Sequence, residues 1–175
     1  MVARIKFTLL LLVFFFMEST LAQFITPGVW GMSYETIPRF ALVGIIYASL
    51  FIGRREGLYY GMAFGLLQDM LYGNVIGVYT LSMMVAGYMA GLVLMIFHRS
   101  VAVVISTLTL VLFGHEWLTY TLFRLFYTNP VNVQWTLTNE IIPTLVANMI
   151  FAILVYKPVR NLCDQVLQNK ERAHE

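Results

Sequence analysis

Charge is what this sequence has least of. Only 11% of its 175 residues are Asp, Glu, Lys or Arg, while 59% are hydrophobic, and the mean hydropathy is +0.76. Soluble domains carry about a quarter charged residues to face water, so a water-exposed globule is excluded. No hydrophilic stretch is long enough to fold as a separate soluble domain. Cysteine is nearly absent as well, and the single Cys163 excludes an internal disulfide or a site built on a cysteine pair. The marks of catalysis are also missing. A helical zinc-protease motif needs a second His four residues after the first, so that both rings reach one metal. After His115-Glu116, position 119 is Thr, and His98 and His174 belong to the cytoplasmic side, too far from His115 to share a metal with it. No Ser or Cys stands in a recognisable nucleophile setting, and no glycine-rich phosphate loop follows a strand. An enzyme, a bound metal and a cofactor are therefore not expected.

What the chain does have is apolar runs. Six, at about 7–25, 38–53, 57–72, 75–97, 101–124 and 139–156, approach or exceed the roughly 20 residues that cross a bilayer. The expected fold is all-α: a polytopic membrane helix bundle of about six transmembrane helices over residues 1–156, then a short cytoplasmic amphipathic tail over 157–175. The second and third runs are short, with room only for a tight turn between Gly53 and Gly57, and they would tilt little or thin the bilayer locally. Arg4 and Lys6, the apolar run from Phe7 and the sequence Thr20-Leu21-Ala22 resemble a cleavable signal peptide. Apolar character continues through Phe24 and Ile25, which favours a retained span. With the N-terminus inside, Arg4, Lys6, Arg54, Arg55, Arg99, Lys157, Arg160, Lys170 and Arg172 are cytoplasmic, and only Arg39 and Arg124 fall outside. Cytoplasmic loops are enriched in Lys and Arg, so both termini are expected in the cytoplasm.

Two kinds of residue interrupt the apolar background. The first is glycine at four-residue spacing. Gly57, Gly61 and Gly65 in the third run, and Gly87 and Gly91 with Ala86 and Ala90 in the fourth, form small-residue ridges that let helix backbones approach closely. Either the two spans pack on each other, or one ridge receives a partner helix. Gly73 and Gly77 punctuate the connection, and the Gly73-Asn74 turn suits a glycine at positive φ. The second kind is ionisable. At about 1.5 Å per helical residue, Glu18, Asp69 (beside Gln68), His115 and Glu116 all lie about 17–23 Å from the cytoplasmic ends of their helices. Such groups turn inward and pair with one another or with water. They form an outward-opening polar pocket or, the preferred reading, a set of inter-helix hydrogen bonds.

Beyond the last run, Pro158 is expected to interrupt the helix. Val159, Leu162, Cys163, Val166 and Leu167 then repeat at helical spacing, as for a short amphipathic helix lying on the membrane surface.

The segment from Gly61 to Gly91, GMAFGLLQDMLYGNVIGVYTLSMMVAGYMAG, resembles the signature region of the bacterial rod shape-determining protein MreD family. It has the same glycine-spaced span, an Asp followed by a glycine-containing turn, and a second glycine-bearing span. The resemblance covers about residues 55–92. It implies a non-enzymatic, multi-pass component of the bacterial cytoplasmic (inner) membrane that works in cell elongation and helps organise lateral peptidoglycan synthesis. The implied partners are the bitopic protein MreC, the actin-like MreB, a SEDS-family glycosyltransferase, a class B penicillin-binding transpeptidase and membrane lipid, with no nucleic acid. It also implies a helical arrangement similar to the substrate-binding subunits of energy-coupling-factor transporters. The alternative function is a small-molecule-binding subunit of such a transporter, with Glu18, Asp69, His115 and Glu116 around its ligand. The topology has a direct check. A reporter fused after Glu175 is expected to be active only in the cytoplasm, and periplasmic activity would overturn the orientation and the depths drawn from it.

Overall fold

The computed structural model describes residues 2–25, 35–97, 100–126 and 132–171. The described residues form helices and connections, without a strand. The helices are α1 (Val2–Ile25), α2 (Phe40–Phe51), α3 (Arg54–Tyr72), α4 (Val78–Ile96), α5 (Val101–Phe126), the short α6 (Val133–Thr136) and α7 (Ile142–Glu171). A π-helical turn, Leu137–Ile141, joins α6 to α7. Each of the six apolar runs falls on its own helix, α1 to α5 and α7 in order. Two segments, Val101–Phe126 and Val133–Gln168, are long and apolar enough to cross a membrane, while Phe40–Phe51 and Val78–Val93 are shorter apolar helices. The charges expected at His98, Arg99, Arg172 and His174 lie outside the described residues.

α2 occupies the middle. All twelve of its residues are buried, and it touches α1, α3, α4, α5 and α7. A helix apolar on every side belongs in a core. At about 1.5 Å per residue α2 is about 18 Å long, short of the roughly 30 Å hydrocarbon layer. The run at 38–53 is therefore a short, enclosed post. Its two hydroxyls both reach carbonyls on neighbours. Tyr47 Oη donates to Ala152 O of α7 at 2.8 Å, and Ser49 Oγ donates to Gly87 O of α4. In an apolar setting the alternative to each bond is an unsatisfied polar group, so both fasten α2 in register.

The surrounding helices are apolar outside as well as inside. On α1, Phe7, Leu11 and Phe14 face the core, while Ile5, Leu9, Val13 and Phe16 are exposed. On α5, Leu108 and Leu112 point inward and Leu110, Phe113 and Trp117 outward; on α7, Ile142, Val146, Ile150 and Leu154 are exposed. Water would make such an exterior prohibitive, whereas lipid tails accept it.

The α3–α4 hairpin is the closest pair. A Cβ on Gly61 would stand 2.5 Å from Met83 O, on Gly65 2.6 Å from Thr80 Cα, and on Gly91 2.6 Å from Arg54 Cα. Gly57 and Gly87 face each other's backbone. These contacts run in antiparallel order along the two helices, so both glycine ridges are spent within the chain. The turns depart from expectation. Gly73 has φ −79, which any residue can adopt, and its amide closes α3 on Asp69 O. The positive φ belongs to Gly53 (+141), between α2 and α3, and to Gly77 (+106), which opens α4. A Cβ on Gly77 would meet nothing within 4 Å, so it is a turn glycine rather than a packing one.

α7 also corrects the expected break at Pro158. The helix runs unbroken through it, although proline cannot donate to the carbonyl four residues back. Val159, Cys163 and Val166 are buried in the same apolar core as α2, with Leu162 packed against it. The stripe is bound to the bundle rather than laid on a membrane surface, and that packing holds the helix together across the proline. Cys163 is a free cysteine enclosed in that core, where it serves as a small packing residue.

Close packing makes the hairpin intolerant of bulk. Gly61→Leu is expected to destabilise the bundle by at least the upper end of the about 1–3 kcal/mol typical of overpacking, because backbone rather than a movable side chain stands in the way. A thermal melt of the detergent-solubilised protein checks this; an unchanged midpoint would show that the ridge does not meet α4.

Candidate functional site

The buried polar groups lie at one end of α2 and along its neighbours. Arg39, the residue before α2, is 3% exposed. Its Nε donates to Glu116 Oε1 of α5 at 2.9 Å, and its guanidinium lies 5.2 Å from the centre of the Tyr79 ring. Its backbone amide donates to Asn148 Oδ1 of α7 at 2.7 Å. Asn148 Nδ2 in turn donates to Ile37 O and Thr144 O, and Thr144 Oγ1 accepts from Ile37 N. Residues 37–39 thus borrow side chains from α7 to satisfy backbone groups that no helix serves. Glu18 of α1 accepts from Ala41 N at 3.2 Å and from Gln68 Nε2 at 3.1 Å. Arg39 is within Coulombic reach of both Glu18 and Glu116. One cation therefore sits among carboxylates from two helices, at the mouth of a third. Removing one partner of a buried ion pair costs about 3–5 kcal/mol, because the other charge is left alone.

Asp69 performs a separate task. Its Oδ2 accepts from Gly77 N at 2.9 Å, Thr80 N at 2.8 Å and Thr80 Oγ1, and its Oδ1 accepts from Tyr79 N at 2.9 Å. The first turn of a helix has amides without intrahelical partners and a partial positive charge. α4 begins with Val78-Tyr79-Thr80 and offers no acidic residue of its own there, so a carboxylate from the end of α3 supplies the cap. This fastening closes the hairpin that the glycines bring together.

The expected single layer of Glu18, Asp69, His115 and Glu116 is thus three arrangements. Glu18, with Gln68, and Glu116 gather about Arg39, Asp69 serves α4, and His115 bonds to neither. His115 stands apart despite neighbouring Glu116. It is 1% exposed and lines a groove between α4 and α5. The Ser82 backbone stands within hydrogen-bonding reach of the ring, although neither nitrogen makes a bond of good geometry. Arg39 was the main omission of the sequence reading, which counted it as an extracytoplasmic loop charge. Its place directly before an apolar run, and the lone Asn148 inside another, are the signals that point to it. Without Arg39 the charge bias rests on Arg124 alone for the outer side.

Among the described residues, no group of three or more His, Cys, Asp or Glu could hold a metal ion. Bonds spent on backbone amides and on each other leave these side chains to fasten helices rather than to turn over a substrate. Residues 3–166 match the profile of the family described as rod shape-determining protein MreD. The chain belongs to the MreD family. A curated relative, rod shape-determining protein MreD of Bacillus subtilis (strain 168), is 28% identical over 123 residues, covering 70% of this chain and 72% of the relative. No solved structure matches. MreD proteins are shape-determining membrane components rather than enzymes.

For this MreD-family chain, Asp69 gives the sharpest test. Both its oxygens accept from amides, so Asp69→Asn turns an NH2 group toward at least one N–H donor and leaves it unsatisfied. That change is expected to cost about 1–3 kcal/mol, and Asp69→Leu, which removes every acceptor, more. Thermal melts of both variants in detergent, with membrane levels checked by blotting, decide it. Wild-type stability in Asp69→Leu would overturn the capping role.

Proposed function

We propose that this chain is a multi-pass protein of the bacterial cytoplasmic membrane, with both termini in the cytoplasm, and that it serves cell elongation by binding MreC. In this reading it helps organise lateral peptidoglycan synthesis alongside MreB, a SEDS-family glycosyltransferase and a class B penicillin-binding transpeptidase. The observation that carries the proposal is the family match over residues 3–166. The geometry is in keeping with it. Polar groups of the bundle tie helices together, while many large apolar side chains are exposed on its exterior, which suits lipid and partner helices.

The transporter-subunit alternative needs polar groups gathered around a ligand. Glu18, Asp69 and Glu116 instead bond within the protein, and the groove of about 240 Å³ beside His115 is walled mainly by apolar side chains. No observation favours that alternative.

Co-purification tests the proposal. The full chain, tagged and co-expressed with MreC from the same genome, is expected to retain MreC through mild detergent and to restore rod shape to cells depleted of their own copy. Retention of a vitamin-sized molecule without MreC would replace this function with transport.

A further inference from the structure

A different groove runs between α5 and α7, over the end of α2 that is cytoplasmic in the orientation proposed above. Its inner part, a hollow of about 100 Å³, is floored by Tyr47 and walled by Leu108 of α5 and by Met149 and Ile153 of α7. Its outer end, a hollow of about 70 Å³, is bounded by Phe51, Ser100 and Arg160. The two hollows share Val101, Val104 and Tyr156, so they form one continuous groove. Val101, Ile105 and Ile153 are exposed along it, and it therefore opens on the apolar exterior. From Ser100 to Leu108 it follows α5 for about 12 Å, at about 1.5 Å per residue. A helix, about 10–12 Å across with its side chains, is too wide for hollows of this size. A single hydrocarbon chain is not.

Most of the groove is apolar, but its cytoplasmic mouth carries charge. Arg160 Nη1 donates to Tyr156 Oη at 2.9 Å, and the guanidinium lies 5.8 Å from the centre of the Tyr156 ring. Tyr156 lines both hollows, so it holds the cation at the mouth. Asp164 Oδ2 stands 3.9 Å from Arg160 Nε, and both side chains are about half exposed. Such a surface pair contributes little, and a guanidinium with five N–H donors has more than one phenol and one distant carboxylate can use. Lys157, also exposed, precedes Arg160 by about one helical turn. Beside them begins α5, where Ser100 Oγ accepts from Val103 N at 3.2 Å and the first turn adds the partial positive charge of a helix start. An apolar trough that ends in a cation at the edge of the bilayer has the polarity of a lipid: tail inside, phosphate at the mouth. We propose that the α5–α7 groove binds an anionic phospholipid of the cytoplasmic leaflet, with one acyl chain between Leu108 and Met149 and the phosphate on Arg160. The planar fork of arginine matches phosphate oxygens two at a time. The proposal rests on the membrane placement proposed above and not on the binding of MreC.

Native mass spectrometry of the full chain in detergent, with phosphatidylglycerol or phosphatidylcholine of the same acyl chains added, tests the site. The wild type is expected to carry phosphatidylglycerol about fivefold more often than phosphatidylcholine. Arg160→Gln is expected to lose that preference, and Arg160→Lys, which keeps the charge but not the fork, to keep part of it. Val101→Trp adds bulk at an exposed position that lines both hollows and is expected to shed the lipid. Val13→Trp, on the exposed face of α1, is expected to leave binding unchanged. A phosphatidylglycerol with a diazirine on its acyl chain is expected to label residues 104–108 or 149–153 of the unaltered chain, a readout that does not depend on any variant folding. Equal uptake of the two lipids by the wild type, or an undiminished preference in a monodisperse Arg160→Gln, would overturn the proposal. Labelling confined to other helices would overturn the groove. MreC is absent from both measurements, so failure here leaves the proposed function standing, and failure of the MreC co-purification leaves this site standing.

Discussion

A helix of twelve residues with no exposed side imposes a condition on every other part of the chain: something must surround it. Five helices do so, and their arrangement follows from what α2 presents. Its apolar faces take Phe7, Leu11 and Phe14 from α1 and Leu108 and Leu112 from α5 into one core. Its hydroxyls fix α4 and α7 by single bonds to carbonyls. Its N-terminal end carries Arg39, whose charge has no access to water and so calls for Glu116 on α5. Lipid offers little net hydrophobic drive for helices to associate, because tails are as apolar as leucine. Sparse polar contacts and close packing then decide which helices meet, and α2 is where most of those contacts converge.

The hairpin of α3 and α4 solves a local version of the same problem. Glycines bring two backbones together, and Asp69 closes the turn by capping the second helix from the end of the first. Neither device has a catalytic aspect. Both make the pair rigid, which suits a protein whose family works through shape and contact rather than through turnover.

The helices and the importance of the segment around Asp69 were legible in the sequence, because apolar run length and glycine spacing are local properties that survive folding unchanged. The partners of Asp69 were not. Its grouping with His115 and Glu116 at similar depth was illusory, since depth along a helix says nothing of the direction in which a side chain points. Arg39 was misread for a related reason: an arginine at the end of an apolar run looks like a loop charge until the element that covers it is known. Pro158 was misread because local propensity argues for a break, while the burial of Val159, Cys163 and Val166 outweighs it. Gly73 and Gly77 are both turn glycines in sequence, and only the backbone path shows which of them takes the positive φ.

The separation of bonded residues along the chain also orders their making. Asp69 reaches amides eight to eleven positions later, so the turn of the α3–α4 hairpin can close as soon as the start of α4 has been synthesised. Arg39 must wait for a carboxylate 77 residues downstream, and its amide and the Ile37 carbonyl wait for Asn148, 109 and 111 residues away. During synthesis the mouth of α2 therefore holds a cation with only the Glu18 carboxylate in reach, while the turn beside it is already capped. The central post of the bundle is among the last parts to be secured, and α7 is the element that locks it.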